Sequence, residues 1–312
     1  MSCWTGLCRG DERGPGRRTR AAAAWTALAV LAAAPAGARA GPAGAVAGVV
    51  HVASRDGTRL AVECSGSGPE LLLVHGGVGD RTRWTPLFPL LSSRFTVCAM
   101  DRRGRGGSGD AVQYSIRREA EDIAAVVESR AGPVAVLGHS YGGICALEAA
   151  FLTGRISKLL LYEPPLQEEI EPRLVDRIEE LARRGDREEA VSLFLREVVR
   201  VSPAELEQMR SRPAWKSMME SIGAHPRQMR ALSGYRFDEG RLRTLRVPTL
   251  LIRGELTAIP GVRRAFDSLM AALPERKEAI LAGQHHNAMD TGRQELARTI
   301  LGFLLAEEGG EP

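Results

Sequence analysis

The sequence predicts an α/β protein: a mostly parallel sheet flanked by helices and interrupted by an inserted helical segment. Three observations carry this. Apolar runs of strand length recur as "ELLLVH", "FTVCAM", "VAVLGH", "KLLLYE", "PTLLIR" and "KEAILA", and near-continuous apolar runs mark strands buried on both faces. Stretches of helical length separate most of them, as parallel neighbours require. One interval of about 80 residues, between "LYEPPL" and "RVPTLLIR", has helical periodicity and no strand signal.

Taken from the amino terminus, residues 1–40 read as a targeting segment. "RGPGRRTR" supplies a basic region, "AAAAWTALAVLAAAPAG" an apolar stretch, and "ARA" before Gly41 a small-residue cleavage site. On that reading the chain is exported and cut near Ala40; the competing reading is a disordered extension on a cytoplasmic protein. Arg17 and Arg18 suit a twin-arginine signal but lack the pattern that follows one. The apolar stretch is short for a bilayer crossing, so no stable membrane anchor is expected.

Charge divides along the same line. The formal net charge is +4, from 42 Lys and Arg against 38 Asp and Glu. Residues 1–40 hold six Arg against Asp11 and Glu12, which leaves 36 of each sign in the remainder. A neutral body with scattered charges lacks the clustered basic face that nucleic-acid binding requires, so no nucleic-acid partner is expected. Of the five cysteines, Cys3 and Cys8 fall in the leader. Cys64, Cys98 and Cys145 are odd in number and lie in apolar stretches, which reads as small buried hydrophobes rather than a disulfide framework. No CxxC or His/Cys ligand spacing occurs, so no metal site is implied.

The sheet-bearing core is assigned to residues 41–165 and 246–312. It opens with "GVVHVAS" and "RLAVEC", joined by "RDGT", whose Asp-Gly pair suits an antiparallel hairpin. Residues 166–245 form the helical cap. Leu174, Ile178 and Leu181 share one helical face, and Val191, Phe194, Leu195 and Val198 another. In "SPAELEQM", Ser202 is an N-cap, Pro203 the first helical residue, and Glu205 closes a capping box. Met209, Trp215, Met218, Met219 and Met229 either fill the cap's own core or line an adaptable apolar pocket.

Ser140 sits in GxSxG, "GHSYG", after the apolar run "VAVL" and before the helical pattern "YGGICALEAAFL". A nucleophile held on a sharp strand-to-helix turn needs small neighbours, here Gly138 and Gly142, and the helix N-terminus favours developing negative charge. Upstream, "LLLVHGGVGD" ends a run with His75, Gly76 and Gly77. Acyl transfer needs donors aimed at the oxyanion, and the Gly77 and Tyr141 amides are the candidates, with Val78 as the alternative to Gly77. The base must come late in the chain. His51 precedes the core, His75 and His139 belong to the motifs above, and His225 lies in the cap, which leaves His285 and His286 in "LAGQHHNAMD". His286 is the choice, with His285 a neighbour that tunes or decorates the loop. Asp290 is assigned to capping the final helix.

The ordered set HGG, "MDRRGRGGSGD", "GHSYGG", the interrupting cap and the late "GQHH" resembles the α/β-hydrolase superfamily, in the form with a cap after the sixth strand, over about residues 48–306. The resemblance implies an eight-stranded, mostly parallel sheet, a Ser-acid-His triad and no organic cofactor. A Ser at 140 turns the reading away from the epoxide hydrolases and haloalkane dehalogenases, which use Asp there. One feature departs from the pattern: relatives place Asp three residues beyond the glycine ending the seventh strand, where this chain has Thr257. Glu163, directly after the sixth strand, is the favoured replacement and Glu255 the alternative, with no acid at all the remaining case. The resemblance also matches Arg103 to a recurrent arginine that pairs with a carboxylate.

Gly104, Gly106 and Gly109 satisfy GxGxxG, but polar "DAVQYS" intervenes before the next helix and three arginines crowd the loop. A tight turn with solvated arginines is expected, not a cofactor site. The expected activity is therefore a cofactor-independent serine hydrolase acting on a small to medium apolar ester, thioester or lactone. The alternatives are a carbon–carbon bond hydrolase of the same fold and a non-catalytic ligand-binding protein. A small-molecule substrate is the one partner implied; oligomeric state is not indicated.

Overall fold

The structure, a computed structural model, describes residues 48–166 and 170–306; residues 1–40, read above as a leader, lie outside them. Every run assigned to a strand forms one. β1 (Val50–Ala53) and β2 (Arg59–Ser65) make the hairpin, turning through Gly57 at φ 83°. β3 (Glu70–Val74), β4 (Thr96–Met100), β5 (Val134–His139), β6 (Ile156–Tyr162), β7 (Thr249–Gly254) and β8 (Arg276–Leu281) follow. They build one eight-stranded sheet in the order β1-β2-β4-β3-β5-β6-β7-β8. β2 is antiparallel to β1 and β4, and the remaining pairs are parallel.

Alternation along the strands sets the layers. In β3, Leu72 and Val74 enter a core with the helices Ile116–Glu128 and Tyr141–Ala149. Leu71 and Leu73 enter the opposite core with Trp84, Leu87 and the helix Arg293–Leu305. This is the two-residue period of a strand covered on both faces. Strand order reverses at β3, with β4 on one side and β5 on the other. Loops leaving β3 and β5 therefore diverge, opening a crevice at the carboxyl edge of the sheet.

Between β6 and β7 lie the helices Pro172–Arg184, Arg187–Phe194, Pro203–Arg210, Ala214–Ser221 and His225–Ser233. They have a core of their own, which takes in Ile178, Leu181, Val191, Met209, Trp215, Met218 and Met229, with Met219 packed against it. The capping box forms: the Ser202 hydroxyl accepts from the Glu205 amide and the Glu205 carboxylate from the Ser202 amide, an arrangement worth about 1 kcal/mol. Among the described residues no helix is long and apolar enough to cross a membrane.

Two sequence expectations are overturned here. Cys64 and Cys98 form a disulfide, because β2 and β4 are antiparallel neighbours with these residues directly opposed. Cys145 remains a buried free thiol. The arginines of "DRRGRGG" are not solvated either: Arg102, Arg103 and Arg105 are all buried. Arg103 does pair with carboxylates, those of Asp122 and Asp56. The GxGxxG turn is filled from within by Asp101, whose carboxylate accepts from the Gly107 amide at 2.7 Å and the Arg81 amide at 2.7 Å. A Cβ at Gly106 would lie 2.3 Å from that carboxylate, so a phosphate has no room.

Candidate active site

Ser140 joins β5 to the helix Tyr141–Ala149 at φ 53° and ψ −128°. Such a conformation costs a non-glycine residue on the order of 1–3 kcal/mol. It is held by hydrogen bonds from the Ser140 amide to the Tyr162 carbonyl and from the Gly143 amide to the Ser140 carbonyl, both 2.8 Å. The turn closes because its neighbours lack side chains. A Cβ on Gly142 would lie 2.3 Å from the His75 carbonyl oxygen, and one on Gly138 2.5 Å from that of Gly142. The Tyr141 amide, in the first helical turn, has no acceptor within the helix.

The turn after β3 faces this serine: a Cβ on Gly76 would stand 3.1 Å from Ser140 Cβ. Gly77 lines an apolar cavity together with Ser140, Tyr141 and His286. Val78 reaches the cavity on the side of Met209 and Met218 and packs against the cap core. Arg102 Nη1 donates to the Gly76 carbonyl at 2.5 Å. In a trans peptide the N–H opposes the C=O, so this bond fixes the direction of the Gly77 amide.

Arg102 is itself held bidentately by Glu119, at 2.6 and 2.8 Å, with its guanidinium 4.7 Å from the centre of the Tyr141 ring. Burial alone would raise the Glu119 carboxyl, but the charge of Arg102 and its hydrogen bonds, with Arg105 behind, hold it at about 2. His75 braces the same turn, donating from Nδ1 to the Gly76 carbonyl and accepting at Nε2 from the Arg102 amide. Burial, followed by the charges of Arg102 and Arg105, pushes its pKa well down, so it is neutral. Sequence reading did not find this brace: its partners stand 17 to 27 residues apart, and nothing local marks them.

His286 arrives on the loop after β8. Its Nδ1 hydrogen-bonds the Glu163 carboxylate, which sets the tautomer and leaves Nε2 as the basic nitrogen. Glu163 is fully buried and, like Ser140, sits at positive φ, 51°. Its second oxygen accepts from the Gly254 amide and from the Thr257 hydroxyl, each at 2.6 Å. Thr257 thus supplies a donor to a carboxylate that comes from the neighbouring strand. Among the described residues the Ser140 hydroxyl has no hydrogen bond to the imidazole, although both line the same cavity; such bonds often tighten only once substrate is bound.

The histidine loop is suspended from strand ends. His139 Nε2 donates to the His286 carbonyl at 2.9 Å, and the Tyr162 hydroxyl donates to the His285 carbonyl and accepts from the Ala288 amide. Buried Arg83 grips Asn287 and, bidentately, Asp290. Asp290 is therefore an ion-pair partner rather than the cap of the last helix, whose N-cap is Gly292. Glu255 turns to the Gly283 amide and not to His286. His285 points toward Glu205 of the cap, 3.9 Å away. Together these groups place a hydroxyl and an oriented imidazole on one small apolar space that Gly77 and Tyr141 also line, an arrangement suited to nucleophilic chemistry.

Residues 71–299 match the sequence profile of the alpha/beta hydrolase family. The structure superposes on an alpha/beta hydrolase from Sphaerobacter thermophilus with a TM-score of 0.72 and 33% identity, over 82% of this chain and 100% of that one. An esterase from Exiguobacterium antarcticum gives a TM-score of 0.68 at 21% identity, covering 82% and 99%. The 2-(acetamidomethylene)succinate hydrolase of Mesorhizobium japonicum is 24% identical over 254 residues, 78% of this chain and 91% of that protein. Mycobacterial relatives 36% identical over 99 residues are spanned to 28% of their length. Profile and superposition agree with the sheet order and the strand-to-helix turn at Ser140: the chain belongs to the alpha/beta hydrolase family.

Proposed function

We propose that this hydrolase is a serine hydrolase that cleaves a small to medium ester, thioester or lactone through an acyl-enzyme. The observation that carries the reading is the Glu163–His286 hydrogen bond, which orients an imidazole lining the same cavity as a serine on a strained strand-to-helix turn. Ser140 Oγ attacks the acyl carbonyl while His286 Nε2 takes its proton. The Gly77 and Tyr141 amides receive the oxyanion, and Glu163 stabilises the imidazolium. Collapse expels the alcohol or thiol, protonated by His286. Water, deprotonated by the same nitrogen, then releases the acid. Each step draws on the chain's own groups and needs no cofactor.

The apolar wall, with Ile170, Phe194 and Met229 among its side chains, favours a substrate with an apolar portion. The test is covalent labelling with a fluorophosphonate probe, read by intact mass. Wild-type protein gains one adduct at Ser140 and hydrolyses short 4-nitrophenyl esters, whereas Ser140→Ala does neither. An unlabelled wild type would show a ligand-binding protein instead.

A further inference from the structure

The helix His225–Ser233 of the cap brings two polar side chains to the cavity, and the proposed reaction uses neither. His225 is 1% exposed; its imidazole lies against the Gly77 backbone, and among the described residues neither ring nitrogen makes a hydrogen bond of ordinary geometry. Its ring rests edge-on against Phe194. Gln228 is equally buried. Its Oε1 accepts from Arg102 at 2.5 Å and Arg105 at 2.8 Å. With the carbonyl end fixed by two guanidinium groups, the Nε2 end must face the other way. It lies 3.0 Å from where a Cβ on Gly77 would stand, and His225 Cε1 lies 2.8 Å from the same point. Both side chains line the cavity with Ser140 and His286.

A buried polar group without a partner is costly to leave so, and here the two ring nitrogens of His225 stand beside the Gln228 amide on one wall next to the reacting serine. The charge behind that wall is unbalanced. Arg102 and Arg105 are both buried, and among the described residues Glu119 is the one carboxylate that pairs with them. Tyr114 and Tyr141, which share the cluster, are neutral. A net positive field therefore stands behind an outward-facing amide and an unpartnered imidazole, in a cavity whose remaining wall is apolar.

We infer that His225 and Gln228 form a recognition subsite for a carboxylate on the substrate, joined to the scissile carbonyl by a short apolar spacer. The inference rests on the hydrolase reading and deepens it: the substrate class becomes the monoester, monothioester or lactone of a short dicarboxylic acid. The carboxylate accepts from Gln228 Nε2 and the imidazole N–H, and the two guanidinium groups offset its desolvation.

The test compares 4-nitrophenyl hydrogen glutarate with 4-nitrophenyl valerate, which differ by exchange of a terminal methyl for a carboxylate. The readout is the ratio of their kcat/KM values, in which any general loss of activity cancels. Gln228→Glu keeps an acceptor for both arginines while replacing the free donor with negative charge. His225→Phe removes the imidazole. Each is expected to lower the glutarate-to-valerate ratio tenfold or more; a ratio unchanged in both variants overturns the inference. Calorimetric titration of Ser140→Ala with free glutarate tests the subsite without turnover: saturable binding lost on adding Gln228→Glu supports it, and no binding overturns it. If wild-type Ser140 resists the fluorophosphonate while glutarate still binds through Gln228, the hydrolase reading fails and the subsite stands.

Discussion

The carboxyl edge of the sheet and the cap enclose one cavity, but different forces hold them. At the edge, Ser140 and Glu163 both occupy positive φ at the ends of adjacent strands, each tied by its amide to the next strand's carbonyl, Tyr162 for the first and Ile252 for the second. The buried Arg102–Glu119 pair fixes the turn after β3, on the other side of β5. The cap instead packs short helices around a core of Met, Leu, Ile and Trp, where dispersion and apolar burial define a volume rather than an atom's position. On the proposed reading, reaction type is set at the edge and substrate choice falls to the cap.

The largest break in that contrast comes from Glu163→Gln, which removes the carboxylate that orients His286. A loss of roughly 10⁴-fold in kcat is expected, by analogy with the loss of a triad acid, whereas Glu255→Gln stays near wild type because its carboxylate serves the Gly283 amide. The reverse ranking in ester turnover would move the acid to Glu255.

Next is the seam where edge and cap meet. Glu119→Gln leaves Arg102 and Arg105 buried without a carboxylate, a change costing about 3–5 kcal/mol, measurable as a lower urea midpoint. The pH dependence has a definite sign. With its carboxyl depressed from 4.5 to about 2, Glu119 stabilises the fold fully above pH 4.5, and this contribution is lost as pH falls toward 2. Acid titration of the variant lacks that component.

The smallest effect sharpens the comparison. Thr257→Val removes one hydrogen bond to Glu163, worth about 1 kcal/mol, so kcat drops roughly fivefold with binding little changed. A loss as large as that of Glu163→Gln would make the hydroxyl an equal partner in orienting the acid.

How much of this was legible follows from distance along the chain. Ser140, Gly138 and Gly142 form one local pattern, and His286 follows by elimination and chain order, so sequence suffices to nominate them. Glu163 was reachable as the residue directly after β6, but the role of Thr257 was not, since it depends on two strand ends lying side by side. The buried arginines were misjudged because charge reads as solvation until Glu119 and Gln228 are brought to them, the latter from 126 residues away. The Cys64–Cys98 bond was missed for the same reason: it needs the register of β2 on β4.

That bond has a topological consequence. It closes a covalent ring over a separation of 34 residues, and the ring contains β3, the Gly76–Gly77 turn and Arg83. A peptide bond cut anywhere inside it leaves the two fragments tethered, so the segment that carries the cavity-lining turn and anchors the histidine loop stays attached to its neighbours after a nick, until the cystine is reduced.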